Sequence, residues 1–96
     1  MAASTHNLNY QRFLTLMREA RERAGVTQGT LGARLGNSQT FVSKIERGER
    51  RVDFVEFVEI CEALGENPIE ILGEYLASRQ KYSALKSRSK RDPSAR

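Results

Sequence analysis

Apolar residues in this chain recur every three to four positions, in five separate blocks, and that is the period of one face of an α-helix. In the first block Tyr10, Phe13, Leu14, Met17, Ala20 and Ala24 share a face. Asn9 is placed to cap it, and Gly25 to end it in the left-handed conformation. The second block is short: Thr27 caps it, it runs from Gln28 to Leu35 with Leu31 and Leu35 one turn apart, and Gly36 stops it. Only Gly36 and Asn37 then precede Ser38, a good N-cap for a third helix carrying Phe41, Val42 and Ile45 and ending at Gly48. Asp53 followed by Glu56 reads as a capping box for a fourth helix, which buries some of Phe54, Phe57, Val58, Cys61 and Leu64 and stops at Gly65. Asn67-Pro68-Ile69-Glu70 supplies an N-cap, a first-turn proline and an acid for a fifth helix, with Ile69, Leu72, Tyr75 and Leu76 on its apolar side.

No segment sustains strand-like alternation and no repeat is present, so the expected class is all-α with short connections. Periodicity fades after about residue 78. Residues 78–86 either extend the fifth helix through Tyr82 and Leu85 or belong to a tail, and residues 87–94 lack an apolar side chain and are expected to be disordered. The expected division is a flexible arm over 1–8, one domain over 9–77 and a basic tail over 78–96.

Charge changes this picture by its distribution more than by its sum. The 96 residues carry a net charge of +4, with a pI near 9.6, which hints at a polyanionic partner. Residues 77–96 alone hold seven Lys or Arg against Asp92, so most of the excess is a property of the tail. Residues 27–51 carry Arg34, Lys44, Arg47, Arg50 and Arg51 against Glu46 and Glu49, whereas residues 52–76 carry seven carboxylates and no basic side chain. The domain is thus expected to be basic early and acidic late, with the acidic run a solvated face that keeps one side away from a polyanion.

Several classes drop out. No apolar stretch approaches the roughly 20 residues of a membrane helix, and the first residues lack the basic and apolar regions of a signal peptide, so a cytoplasmic protein is expected. One cysteine makes no internal disulfide, and Cys61 on an apolar helix reads as a core residue. With a single His, near the start of the chain, neither a zinc site nor a nucleophile–base pair is supported. The glycines match no phosphate-binding loop. The expectation is no enzyme, no cofactor and no metal.

The informative segment is 27–46, two short helices joined by a tight turn, which is a helix-turn-helix. Gly32 falls where the two helices cross most closely, and a bulky side chain there would push them apart. Exposed on the third helix are Ser38, Gln39, Thr40, Ser43 and Lys44, hydrogen-bonding groups beside a cation, as a face that reads base edges in a major groove requires. Arg47, Arg50 and Arg51 follow where they can grip flanking phosphates, with Asn37 in the turn as a further phosphate candidate. The same composition equally suits a solvated polar face.

The register of many positions decides more. Arg18 and Arg21, Gly25-Val26-Thr27-Gln28, Leu31-Gly32, Gly36, Val42-Ser43-Lys44-Ile45-Glu46-Arg47-Gly48 and Ile60-Cys61-Glu62-Ala63-Leu64-Gly65 together resemble the phage-repressor/Cro-type (XRE-type) helix-turn-helix family over residues 16–72. The resemblance implies a compact five-helix, repressor-like DNA-binding domain. It implies that Gln28 meets a phosphate and braces Gln39, that bases are read from Ser38, Gln39, Thr40, Ser43 and Lys44, and that Arg21 pairs with Glu46 to clamp the first helix to the third. Two departures stand out. Gly32 occupies a position where the family usually has alanine, and Gly29 adds a second glycine that each costs helix stability; close approach of Gly29 to a phosphate is one explanation.

One small helix-turn-helix contacts few base pairs, so a homodimer on a palindrome is expected, with Ile71, Tyr75, Leu76 and residues 77–85 as its interface. The leading expectation is a transcriptional repressor of double-stranded DNA. The alternatives are an antitoxin or adaptor that uses the fifth helix or the tail against a partner protein, and a restriction–modification controller protein.

Overall fold

Asn7 caps the first helix: its Oδ1 accepts hydrogen bonds from the backbone N–H of Asn9 (2.7 Å) and Tyr10 (3.1 Å). The computed structural model describes residues 7–79. Within them lie α1 (Leu8–Arg23), α2 (Gln28–Arg34), α3 (Gln39–Glu46), α4 (Phe54–Leu64) and α5 (Pro68–Ser78), and among the described residues there is no strand. The cap of α1 is therefore Asn7 and not Asn9; both precede apolar helix, and only the former has the extended backbone a cap requires. The other starts fall where expected. Thr27 and Ser38 accept from Thr30 and Phe41, and Asn67 accepts from Ile69. Asp53 and Glu56 form a reciprocal box at 2.8 and 3.1 Å.

Four helices stop in the same way. Gly25, Gly36, Gly48 and Gly65 take φ between 69° and 79°. In each case the following residue donates back to a carbonyl five positions earlier, as Asn37 does to Gly32 at 2.8 Å. The consequence is largest at Gly36, where the left-handed step turns the chain out of α2 and, two residues later, into α3.

The core is one cluster drawn from every helix: Leu14, Met17 and Ala20 of α1, Leu31 of α2, Val42 and Ile45 of α3, Phe57, Ile60, Cys61 and Leu64 of α4, and Ile71 of α5, with Val26 from the first loop. Tyr10, Phe13 and Phe57 stack in a tilted row with centroids 5.7 and 5.6 Å apart. Burial pushes the Cys61 thiol up to about 11, as expected of an inert core cysteine. Polar ties close the rim: Arg34 donates to the Ala63 carbonyl (2.8 Å) and Arg12 to Ser78 Oγ (3.0 Å).

Two expectations for the C-terminal half need correction. The buried residue of α5 is Ile71, at 1% exposure, while Ile69, Leu72 and Leu76 are exposed. Of the three residues assigned to a dimer face, Ile71 is thus core and only Tyr75, half-buried, and Leu76 reach the surface. Nor is the acidic run simply solvated, because Glu56 and Glu66 are half-buried and bridge to Arg50 (2.9 Å) and Arg23 (3.2 Å). Helix α5 ends at Ser78, with Arg79 extended. The possible continuation to residue 86 and the tail beyond fall outside the described residues.

Candidate nucleic-acid interface

The turn between α2 and α3 is as tight as a backbone allows. A Cβ on Gly32 would lie 2.5 Å from the Ser38 carbonyl oxygen and 2.7 Å from its carbon, so glycine is the residue that lets the two helices meet at this spacing. Val42 and Ile45 face inward, and the opposite side of α3 is left to polar groups.

Ser38, Gln39, Thr40 and Lys44 are exposed along that side, with Asn37 exposed in the turn. Ser43 is half-buried and its hydroxyl accepts from the Arg47 guanidinium, which leaves the hydroxyl hydrogen to donate outward. The Ser38 hydroxyl is likewise an acceptor, from the Phe41 N–H at 3.1 Å. The hydroxyls of Ser38, which caps α3, and Ser43, in its middle, are therefore both engaged by contacts within the protein.

Behind this face runs a connected set of hydrogen bonds. Arg21 and Glu46 pair in a fork, Nε to Oε2 at 2.6 Å and Nη2 to Oε1 at 3.1 Å, and Arg21 also donates to the Val26 carbonyl at 2.8 Å. The pair is mostly shielded from water, its side chains 13% and 10% exposed. The hydrogen bond from Arg21 to Glu46 holds the guanidinium pKa above its ordinary value. The same carboxylate accepts from Gln28 Nε2 at 2.8 Å, and Gln28 Oε1 accepts from Gln39 Nε2 at 3.0 Å. The clamp and the brace implied by the resemblance are thus one network. Its middle link, Gln28 to Glu46, had no signal in the spacing, because it joins residues 18 positions apart.

The arginines beyond α3 divide. Arg47 forks onto Glu49 at 2.9 and 3.0 Å, an exposed pair open to exchange with water. Arg50 is committed inward: it forks onto Glu56 at 3.0 and 2.9 Å and lies over the Phe41 ring at 4.6 Å. Those hydrogen bonds hold the Glu56 carboxyl below its usual 4.5. Arg50 therefore ties the end of α3 to the start of α4, with 41% of its side chain still exposed. Arg51 is exposed, its guanidinium 4.7 Å over the Tyr10 ring. Sequence reasoning missed the Arg50–Phe41 stack, which depends on the 47–53 loop folding back over α3. Among the described residues no group of His, Cys, Asp and Glu is arranged to hold a metal ion, and no helix is long and apolar enough to cross a membrane.

Comparison with known proteins bears on the same region. A family model described as a helix-turn-helix domain matches residues 12–72, which include all of α2 and α3. An uncharacterised HTH-type transcriptional regulator of Sinorhizobium fredii, y4dJ, is 36% identical over 52 residues, 54% of this chain and 68% of that protein. Among solved structures, an XRE-family like protein from Pseudomonas syringae pv. tomato superposes with a TM-score of 0.74 at 44% identity, over 82% of this chain and 96% of that one.

Proposed function

Since the chain belongs to the XRE-type helix-turn-helix family and is a DNA-binding transcriptional regulator, we propose that it acts as a repressor, bound as a homodimer to a short palindromic operator. The observation that carries this reading is the outer face of α3, where Gln39, Thr40 and Lys44 stand exposed on a helix fixed from behind by the Arg21–Glu46–Gln28 network. A helix presented in this way enters a major groove with side chains held for base contact, while Gln28, Asn37, Arg47 and Arg51 border it toward the phosphates. The carboxylates of α4 and α5 lie beyond, and their charge disfavours any pose that turns those helices to DNA.

Selection from a random duplex pool at about 150 mM salt tests the reading, since salt sets the nonspecific background. Enrichment of one short motif is expected. In that motif Gln39→Ala should cost about 1–3 kcal/mol and relax one position, and Arg51→Ala should weaken all sequences alike. A pool that yields no motif points instead to the adaptor or antitoxin reading.

The dimer is supported by an apolar surface that the fold leaves uncovered. Phe54 and Ile69 are 75% and 76% exposed, and Leu72 and Leu76 about half. Phe54, Leu72 and Tyr75 also border a groove of about 490 Å³ between α1, α4 and α5. A patch of this kind on a small domain marks an interaction site. Sedimentation equilibrium should give a dimer that Leu76→Asp dissociates, with half-sites about 34–36 Å apart or a multiple of that. A wild-type monomer bound to a single half-site would refute the dimer.

A further inference from the structure

We infer that Tyr10 is a positioning residue for DNA binding: from α1, outside the helix-turn-helix, it sets Arg51 in place for a phosphate. The inference deepens the operator-binding reading and rests on it, through the assignment of Arg51 to the phosphates.

Arg51 lies in the 47–53 loop, between the end of α3 and the start of α4. The peptide group that joins it to Val52 is held on both sides. Its carbonyl accepts from Arg50 Nη1 at 2.9 Å, and its N–H donates to the Tyr10 hydroxyl at 3.1 Å. Arg50 is itself fixed by Glu56 and by the Phe41 ring. A peptide group is planar, so holding both of its polar atoms fixes the rotation of the chain on either side. The direction in which the Arg51 side chain leaves the loop is fixed with it. The far end of the same side chain lies 4.7 Å over the Tyr10 ring. Tyr10 thus holds Arg51 at both ends, the backbone through its hydroxyl and the guanidinium through its ring. Tyr10 is a firm base for this, half-buried and packed against Phe13 with ring centroids 5.7 Å apart.

The hold by the ring has a chemical consequence. Arg47 and Arg50 give their N–H donors to Glu49 and Glu56, and those carboxylates offset their charge. Among the described residues Arg51 pairs with no carboxylate. A ring face attracts a cation through its quadrupole, takes none of the five guanidinium N–H donors and leaves the charge uncancelled. Arg51 therefore keeps everything a phosphate binds, and its motion is restricted before DNA arrives. Ordering a long side chain only on binding lowers affinity, and the ring removes part of that penalty.

The test is binding to the duplex that the wild type selects, at about 150 mM salt, by the wild type, Tyr10→Leu, Arg51→Ala and the double variant. Tyr10→Leu should weaken binding by about fivefold for each protomer bound, the scale of ordering one long side chain. In the Arg51→Ala background Tyr10→Leu should change affinity by no more than about twofold. Tyr10 also borders the groove between α1, α4 and α5, but a loss of stability or of dimer contact does not depend on Arg51 and would appear in both backgrounds. Selection with Tyr10→Leu should return the wild-type motif, since a phosphate contact carries no base information. Tyr10→Phe, which keeps the ring and removes the hydroxyl, should fall between the wild type and Tyr10→Leu, and it enters the same cycle if Tyr10→Leu does not fold. Equal losses with and without Arg51, no loss at all, or a changed motif would overturn the assignment. So would tighter binding, the result if the ring holds Arg51 away from DNA. An Arg51→Ala protein that binds as tightly as the wild type would overturn the phosphate contact beneath it, and a wild type that enriches no motif would overturn operator binding itself.

Discussion

Glu46→Ala is expected to lower the stability of the domain by about 3–5 kcal/mol, the cost of leaving a shielded charge without its partner. Arg21 would keep the Val26 carbonyl but lose both bonds to the carboxylate, with its side chain only 13% exposed to water. Gln28 would lose the acceptor for its NH2 as well. For a domain of this size each kcal/mol corresponds to roughly 4–8 °C, so thermal denaturation followed by circular dichroism should show a drop of about 12 °C or more. Replacing both partners, Arg21→Met with Glu46→Leu, should recover much of that loss, since no charge is then stranded. The recovered fold should still bind its operator poorly, because nothing then orients Gln28. A loss below about 1 kcal/mol in Glu46→Ala would place the pair with exposed ion pairs and remove it as the anchor of α3.

How much of this was legible in the chain depends on the distance over which each feature is decided. Caps and stops are decided within five residues, and Thr27, Ser38, Asp53, Asn67 and the glycines after four helices all act where the sequence places them. The Arg21–Glu46 clamp joins residues 25 apart and was legible only through the family resemblance. Arg50 makes contacts within the protein that a basic cluster in the sequence does not announce. Three arginines within five residues look alike in sequence, yet the loop carries Arg50 back onto Phe41 and Glu56 and leaves Arg51 outside. In α5 the apolar residues outnumber the positions that touch the core. Periodicity puts Ile69, Leu72, Tyr75 and Leu76 on the apolar side and passes over Ile71, yet Ile71 is the residue that α5 buries. The surplus is the apolar surface on which the dimer proposal rests.

Gly32→Val is expected to cost about 2–3 kcal/mol, as overpacking does where neighbours cannot yield. The atoms a Cβ meets are backbone: the Ser38 oxygen at 2.5 Å, its carbon at 2.7 Å and the Gln39 nitrogen at 3.1 Å. Ser38 caps α3 and Gln39 is its first residue, so room for a side chain comes only by moving α3 away from α2. That motion also pulls Gln39 from Gln28, which sits at the start of α2. Operator affinity should then fall further than the stability loss alone explains when both are measured at a temperature where the variant is folded. Gly29 is the control in the same helix. A Cβ there meets only Thr27 Oγ1, at an ordinary 3.9 Å, so Gly29→Ala should raise stability by about 0.5–1 kcal/mol through helix propensity. If Gly29→Ala leaves operator affinity intact, close approach to a phosphate is not the reason for glycine at that position. Alanine, the family's usual residue at position 32, separates the two effects. Gly32→Ala gains the same propensity as Gly29→Ala but must open the turn by about half an ångström to clear a contact that real Cβ atoms essentially never make. A Gly32→Ala protein more stable than the wild type would show that the turn opens freely, and the close approach of α2 and α3 would then not be what holds Gln39 against Gln28.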